Sequence, residues 1–299
     1  MLKKMRYVFV LLFIFGFSAT LMGNEWANYY FPDAVDSYWT YEDQDGEELT
    51  RYAIAPQEID GETYRAFSYD PVLEDWTKYQ YYFHPYFYQV SDDWVAFFVG
   101  DDIENTTRAV TEKHWNEAMV VMKQQLNNQL PPGMTIDLNV TYELDIEAQD
   151  YFYVLPTPAT FNEEWEASRV DVEMDLQIDI TSNVDGFPPT SQMITMFLTL
   201  VETANVTGTE TVETAAGTFE DCLIIEYQID ASIRTEPDLP EVKTMFQDVY
   251  KGALTTLWFA PNVGIVKMLQ ESESTDIVKT IELTNYEIKS TESESSESD

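Results

Sequence analysis

Acidic side chains are the most abundant groups in this chain that could do chemistry. The sequence has 54 Asp and Glu residues against 16 Lys and Arg, and calcium prefers about six to eight oxygen ligands. Asp43, Asp45 and Glu48 surround Gly46 and are candidate calcium ligands, although the distant Glu that completes an EF-hand loop is missing. Asp45-Gly46 is equally typical of a hairpin turn. The sequence leaves a calcium site and a turn open, and it suggests no cofactor other than calcium.

Two further acidic segments alternate apolar and polar residues, over 136–146 and 170–180, which predicts two long β-strands with one wet face. Acids on one face of a strand are about 6.6 Å apart, whereas a neighbouring strand is about 4.8 Å away. An ion site would therefore need a register that places Asp137 or Asp145 opposite acids of the second strand. A solvated acidic face explains the same pattern.

Nucleophiles and general bases are scarce. His84 and His114 have no metal-ligand spacing such as His-x-x-x-His, and no Gly-x-Ser-x-Gly motif is present. Cys222, the only cysteine, has no basic neighbour in sequence to lower the pKa of its thiol. With so many acids, any chosen pair of catalytic carboxylates would be arbitrary. We therefore assign no catalytic residue and expect a non-enzymatic protein.

An aromatic tract over 76–98 could serve either packing or binding, because both faces of its predicted strands are aromatic. A sheet with one solvated face needs aromatic side chains on its buried face only. Either both faces are covered, or one face lines a ligand cavity or a stacking platform for sugar rings.

The N-terminus predicts the compartment in which these side chains act. Lys3, Lys4 and Arg6 precede an apolar run over 7–17, and small residues follow, which is the layout of a secretory signal peptide. The run is shorter than the roughly 20 apolar residues of a membrane span, and no cysteine stands directly after it as in a lipoprotein. We expect a signal peptide over 1–23, no stable membrane span after its removal, and an extracytoplasmic protein, periplasmic or secreted.

Composition limits the partners. A net charge of −38 repels nucleic acid, and 44% hydrophobic residues support a sizeable core. Residues 290–299 contain no apolar side chain, which predicts a disordered acidic tail. We expect a single β-rich domain over 24–289, with a division near residue 131 as the alternative.

The elements that position these residues are mostly short strands separated by turn signals. Strands are predicted at 37–43, 47–55 and 62–69, in the aromatic tract near 76–84, 86–90 and 94–99, and later at 192–206, 209–214, 218–230, 253–260, 263–271 and 275–288. Apolar residues at helical spacing from Trp115 to Leu130 predict a helix over 111–130, and a second helix is predicted over 239–250. The fold class is mainly β: a curved antiparallel, half-barrel-like sheet with one or two helices packed on one face.

The C-terminal strands carry a resemblance. Ala216-Gly-Thr-Phe, followed by Trp258-Phe-Ala-Pro and then Val263-Gly-Ile-Val-Lys, resembles a pattern in uncharacterised bacterial envelope proteins. The overall plan is similar to lipoprotein-carrier half-barrels of the LolA, LolB and LppX kind. That resemblance implies a curved sheet that cups a helix over an apolar cavity.

The leading hypothesis is therefore an exported binding protein that holds a lipid-like or other hydrophobic small molecule. We expect one apolar surface, on the concave side, to contact it. The rival hypothesis is a structural or adhesive envelope protein with an acidic, calcium-recruiting surface. The predicted ligand-contacting residues are Met119, Met122, Leu126, Tyr142, Leu144, Met174 and Leu176.

Overall fold

A computed structural model describes residues 29–72, 85–130, 134–183, 188–240, 253–272 and 277–289. Within them the chain is mostly antiparallel β-structure with a single helix, α1 (Asp102–Gln129). The strands are β1 (Tyr38–Asp43), β2 (Glu48–Ile59), β3 (Glu62–Asp70), β4 (Phe87–Val90), β5 (Trp94–Phe98), β6 (Ile136–Ala148), β7 (Tyr151–Pro156), β8 (Glu164–Ser182), β9 (Thr190–Thr214), β10 (Gly217–Glu236), β11 (Ala253–Ala260), β12 (Gly264–Ser272) and β13 (Ile277–Glu287).

All these strands belong to one curved sheet that does not close. Its order is β6-β8-β9-β10-β11-β12-β13-β1-β2-β3-β4-β5-β7. The edge strands β6 and β7 follow each other in the chain and are joined only by residues 149–150, so the two edges are brought near each other. The predicted curved antiparallel sheet is confirmed.

Turn chemistry explains why the first hairpins form where the sequence predicted them. Asp60 and Gly61 both have positive φ, 51° and 88°, and connect β2 to β3 as a primed two-residue turn. Between β1 and β2 the connection is longer, and Gly46 has φ 82° there. Glycine tolerates this left-handed conformation without steric cost.

Two strand predictions were wrong. The segments 192–206 and 209–214 are one continuous strand, β9, with a bulge near Gly208 where the pairing with β10 shifts by one residue. A bulge bends a strand without ending it, so the glycine marks curvature and not a turn. Strand β7 was not predicted.

Helix α1 begins at Asp102 and not at residue 111. Its first turn carries Asp102 and Glu104, whose negative charges are favourable beside the positive end of the helix dipole. The helix continues through Thr106 and Thr107, and β-branched residues lower helix propensity. The low helix propensity of these residues explains why the sequence pattern did not predict the first turns of the helix, which begin at Asp102.

Several predictions lie outside the described residues: the signal peptide, the acidic tail, the strand at 76–84 with His84, and residues 241–250 of the second helix. Within the described residues, no helix combines the length and the apolar character that crossing a bilayer requires.

The core is centred on large aromatic side chains of β1 to β5. Trp39 is fully buried, and its indole nitrogen donates a hydrogen bond to the Val263 carbonyl oxygen at 2.6 Å. Buried Arg51 lies with its guanidinium carbon 4.6 Å from the ring centre of Trp39 and 4.5 Å from that of Phe67. Cation–π attraction replaces part of the hydration that Arg51 loses.

The face of strands β6 and β8 that points away from helix α1 is acidic. Antiparallel register places three acids of β6 directly opposite three acids of β8, and all six are exposed to solvent. Like charges directly opposite each other destabilise a sheet. The pairs are Glu143–Asp175, Asp145–Glu173 and Glu147–Asp171.

We expect salt to stabilise this face. Raising NaCl from about 0.01 M to about 1 M shortens the Debye length from about 30 Å to about 3 Å, so the melting temperature should rise. Glu173→Gln should raise the melting temperature at low salt by about 1–3 °C, because it removes one repulsive pair. Glu58→Gln is the matched control, since Glu58 faces Thr63. Equal effects of the two substitutions in a thermal melt would contradict local repulsion.

Candidate functional site: the space beneath helix α1

A mostly apolar cavity of about 140 Å³ lies between the first half of helix α1 and strands β8, β9 and β10. Aliphatic side chains from the helix and the sheet form most of its wall, with two threonines of α1, one serine and one carboxylate among them. The lining residues are Ile103, Thr106, Thr107, Val110, Ser168, Val170, Leu200, Glu202 and Ile229.

Hydrogen bonds from helix side chains to the backbone of the edge strand β6 hold α1 in place. Arg108 Nη1 donates to the Leu144 carbonyl oxygen at 3.1 Å, and Glu104 Oε1 accepts from the Ala148 amide at 3.2 Å. An edge strand presents unpaired backbone groups, and these side chains satisfy two of them. The helix therefore covers both the open edge and the sheet face that carries Ser168 and Val170.

Next to the cavity, the second part of α1 packs on the sheet through a cluster of apolar side chains. Trp115 and Met119 contact it from the helix, and Met174 and Met196, both fully buried, lie in the sheet. Trp115 and Tyr142 meet edge to face at 6.2 Å between ring centres. The cluster is packed side chain against side chain.

The predicted ligand residues come together in this Met-rich cluster. Met119, Tyr142, Leu144, Met174 and Leu176 all belong to it or pack on it. They contact one another and do not line the cavity. Met122 is half-buried on the helix, and Leu126 lies in α1 but its side chain is outside the described part. Their role in ligand binding stays a prediction.

Sequence reasoning missed the polar residues of the cavity wall. Glu202 is only 3% exposed and Ser168 only 5%. Glu202 follows Leu198 and Leu200 on the same alternating face of β9, where an acid is out of place. An acid at an inward-facing position of an apolar alternation indicates a buried polar group, and this could have been recognised in the sequence.

The candidate calcium ligands near Gly46 form a turn. One carboxylate oxygen of Asp43 accepts hydrogen bonds from the amides of Asp45 and Glu47, both at 2.9 Å. This is the bonding expected of an Asx-type turn. Asp45 and Glu48 are exposed, and in the described part of the chain no group of three or more metal-ligating side chains is assembled.

Asp145 of β6 faces Glu173 of β8, which is the acid-to-acid register that an ion site between these strands would need. Asp137 faces Thr181 instead. Asp171 and Asp175 accept hydrogen bonds from Thr199 and Thr195, each at 2.6 Å. Their carboxylates are thus engaged with neighbouring hydroxyls on the face that points away from helix α1.

The described half of the aromatic tract packs on both faces. Tyr88 and Phe97 are buried in the main core. On the opposite face Phe98 lies 4.9 Å from Tyr64 and 5.6 Å from Tyr151, measured between ring centres. Ring contacts cover both faces of this part of the tract, as expected if its aromatic side chains serve packing.

Cys222 is fully buried, and burial raises the pKa of its thiol to about 11. Its Sγ donates to the Phe219 carbonyl oxygen at 3.4 Å. A buried thiol that is protonated at neutral pH is a small apolar core residue and a poor nucleophile. His114 lies in helix α1, and its side chain is outside the described part.

No family model matches the sequence, and no curated protein matches it. Two solved structures are similar over 87% of the chain, each at 12% identity. One is a protein of Bacteroides fragilis described as exported and as having a YmcC-like fold, covered over 99% of its length with a TM-score of 0.38. The other, from Parabacteroides distasonis, is described as a lipoprotein and is covered over 98%, with a TM-score of 0.35. Likeness at this level carries no argument about function.

Proposed function

We propose that this chain is an exported, non-enzymatic binding protein that holds a hydrophobic ligand between helix α1 and the concave face of its sheet. The apolar cavity beneath α1, continued along the same face by the Met-rich cluster, is the observation that carries the proposal. The signal-peptide layout of residues 1–23 supports export.

The cavity takes only part of a lipid-like molecule at rest. Its volume of about 140 Å³ is close to that of an engineered cavity of about 150 Å³ that binds benzene, and below the roughly 300–1,000 Å³ of ordinary ligand pockets. A complete ligand therefore needs the adjoining cluster to rearrange.

The Met-rich cluster is suited to such rearrangement. Met119, Met174 and Met196 are unbranched and flexible, and methionine fills irregular spaces without strict geometry. Along β8 the face beneath α1 from Ser168 to Leu176 is about 26 Å long at about 3.3 Å per residue. An extended apolar chain fits this length, and burying it contributes about 25 cal/mol per Å².

The direct test is native mass spectrometry of the protein purified after export without detergent, with solvent extraction of bound material. A discrete adduct of lipid mass is the expected result. A bare protein mass, together with no uptake of a fluorescent fatty-chain probe, would overturn the proposal.

Filling the cavity should block binding. Val110→Phe places a ring in the cavity and should weaken probe binding at least about tenfold, because the ring takes the volume the ligand would occupy. Val121→Phe is the matched control on an exposed part of the same helix. A competition titration with the fluorescent probe measures both variants, and a thermal melt checks that both fold. Unchanged binding in folded Val110→Phe would place the ligand elsewhere.

The rival hypothesis, a structural or adhesive protein whose acidic surface recruits calcium, has the opposed acids of β6 and β8 in its favour. We do not adopt it, because the described residues assemble no metal-ligand group. A melting temperature raised by millimolar calcium at constant ionic strength would revive it.

A further inference from the structure

We infer that the ligand is a single-chain amphiphile with an uncharged, hydroxyl-bearing head, which the hydroxyl of Thr111 receives between the cavity beneath α1 and the Met-rich cluster. This inference rests on the proposed function and names the chemical class of its ligand.

Thr111 carries a buried hydroxyl that the fold itself leaves unpaired. The residue is only 3% exposed, and its Oγ1 has no hydrogen-bond partner. Among the described residues, no other buried hydroxyl is in this state. Burying a hydroxyl without a hydrogen bond is unfavourable, so this place favours a ligand that supplies the missing partner.

Helix α1 places Thr111 between the cavity and the Met-rich cluster. Thr107, one turn before it, lines the cavity, and Trp115, one turn after it, belongs to the cluster. Residues four apart lie on the same face of a helix and are separated by a rise of about 6 Å. A molecule that extends from the cavity into the cluster therefore passes Thr111.

The neighbouring polar groups of the cavity wall are also hydroxyls. Thr106 and Thr107 contribute them from the helix, and Ser168 contributes one from β8. A hydroxyl both donates and accepts hydrogen bonds. Such a wall complements a head group that does the same, as an alcohol does.

A charged head is disfavoured at this place. None of the described residues that line the cavity is Lys or Arg, and the net charge of −38 repels an anion. Glu202, the one carboxylate among these lining residues, already has an interaction of its own. Moving an unpaired charge of either sign from water into apolar surroundings costs far more than moving a hydroxyl.

The apolar chain has a path away from this head. Strands β8 and β9 pair apolar side chains in register on the face beneath α1, and the pairs farther along the strands belong to the Met-rich cluster. The tail of the ligand would lie along these pairs once the cluster rearranges. They are Met174–Met196 and Leu176–Ile194.

The test compares head groups on one chain length by displacement of the fluorescent fatty-chain probe, with the full mature chain in about 0.15 M NaCl and below micelle formation. The competitors are octanol, chlorooctane, octanoate and octylammonium. Octanol should bind at least about tenfold more tightly than either ion, because only the ions must bring an unpaired charge out of water. An ion that binds as tightly as octanol would overturn the inference.

Thr111→Val locates the effect, because valine has nearly the shape of threonine without its hydroxyl. The substitution should weaken octanol binding about fivefold and leave chlorooctane binding unchanged. Thr157→Val is the matched control, since the buried Thr157 hydroxyl already donates to the Asp92 carbonyl oxygen at 2.8 Å, beyond the end of β7. It should change neither affinity. Unaltered octanol binding in Thr111→Val would refute the assigned role of Thr111.

A thermal melt of the same two variants checks that the Thr111 hydroxyl is unpaired in the protein alone. Thr157→Val should lower the melting temperature, because it breaks a hydrogen bond, whereas Thr111→Val should not. A loss in Thr111→Val at least as large as in Thr157→Val would mean that the hydroxyl has an internal partner, and it would overturn the inference.

The outcomes separate the two levels of the argument. Equal weakening of octanol and chlorooctane by Thr111→Val would refute the hydroxyl-bearing head and leave the hydrophobic site standing. Binding of none of the four competitors, together with no uptake of the fluorescent probe, would refute the proposed function and the inference together.

Discussion

Replacing Trp39 with alanine is expected to lower the free energy of unfolding by about 5 kcal/mol. Truncating a buried tryptophan typically costs about 3–5 kcal/mol, and the lost hydrogen bond to the Val263 carbonyl adds about 1 kcal/mol. The substitution also removes a ring that lies 4.6 Å from the guanidinium carbon of Arg51. That buried cation would lose one of its nearest aromatic neighbours.

Trp39→Phe separates packing from hydrogen bonding. It keeps an aromatic ring beside Arg51 but removes the indole donor, so the loss should be about 1–3 kcal/mol. Urea denaturation followed by circular dichroism measures both variants, and the midpoint should fall with little change in slope. A loss in Trp39→Ala no larger than in Trp39→Phe would contradict the role of ring packing at this position.

Raising the pH above 10 is expected to destabilise the fold strongly. Burial raises the pKa of Tyr41 to about 12, and it raises the pKa values of Tyr69, Tyr88 and Tyr227 well above the ordinary 10.0. These phenols stay protonated in the folded state while those of the unfolded chain ionise. Their contribution to stability is therefore present below pH 10 and is lost as the pH rises from 10 through the folded pKa values.

The magnitude for Tyr41 follows from its pKa. The difference from the ordinary value corresponds to about 3 kcal/mol for this side chain alone. Absorbance of phenolate and circular dichroism are recorded together against pH. The part of the phenolate signal that comes from these four buried tyrosines should appear in one cooperative transition together with unfolding. Ionisation of all tyrosines near pH 10 without loss of structure would contradict this account.

A matched pair of variants assigns part of the alkaline transition. Tyr41→Phe removes the hydroxyl that donates to the Ile265 carbonyl oxygen at 3.0 Å, so it should cost about 1 kcal/mol at neutral pH and shift the alkaline midpoint upward. Tyr52→Phe removes the same atom at an exposed position and should change neither.

Local sequence signals predicted most of the sheet. The turn at Asp60-Gly61 and the strict alternation in 136–146 and 170–180 correspond to observed strands, because turn conformation and burial of one face depend on neighbouring residues. Strand order has no such local cause. Nothing in the chain between β6 and β7 indicates that a two-residue connection joins opposite edges of one sheet.

The candidate site divides in the same way. Helical spacing at Trp115 and Met119 predicted the side of α1 that meets Met174 and Leu176. The cavity itself depends on how closely Thr106 and Val110 approach β9, which is a distance between elements and not a pattern within one. Glu202 is visible in the sequence as an acid in an apolar alternation, but its partners across the sheet are set by register.

The pairing of β1 with β13 determines at which stage of folding the sheet can be completed. Tyr38 pairs with Glu287, and the Lys289 amide donates to the Ser37 hydroxyl at 2.9 Å, so the first and last described strands form a seam in the middle of the sheet. Hairpins between consecutive strands can assemble most of each arm as the chain is synthesised from its N-terminus, with only the β5–β7 and β6–β8 pairs joining strands that are not consecutive. The seam must wait for β13, because loop closure over some 250 residues follows every local contact. Without β13 the described strands would form two half-sheets with two additional open edges, so the pairing of β13 with both β12 and β1 joins the two arms into one sheet.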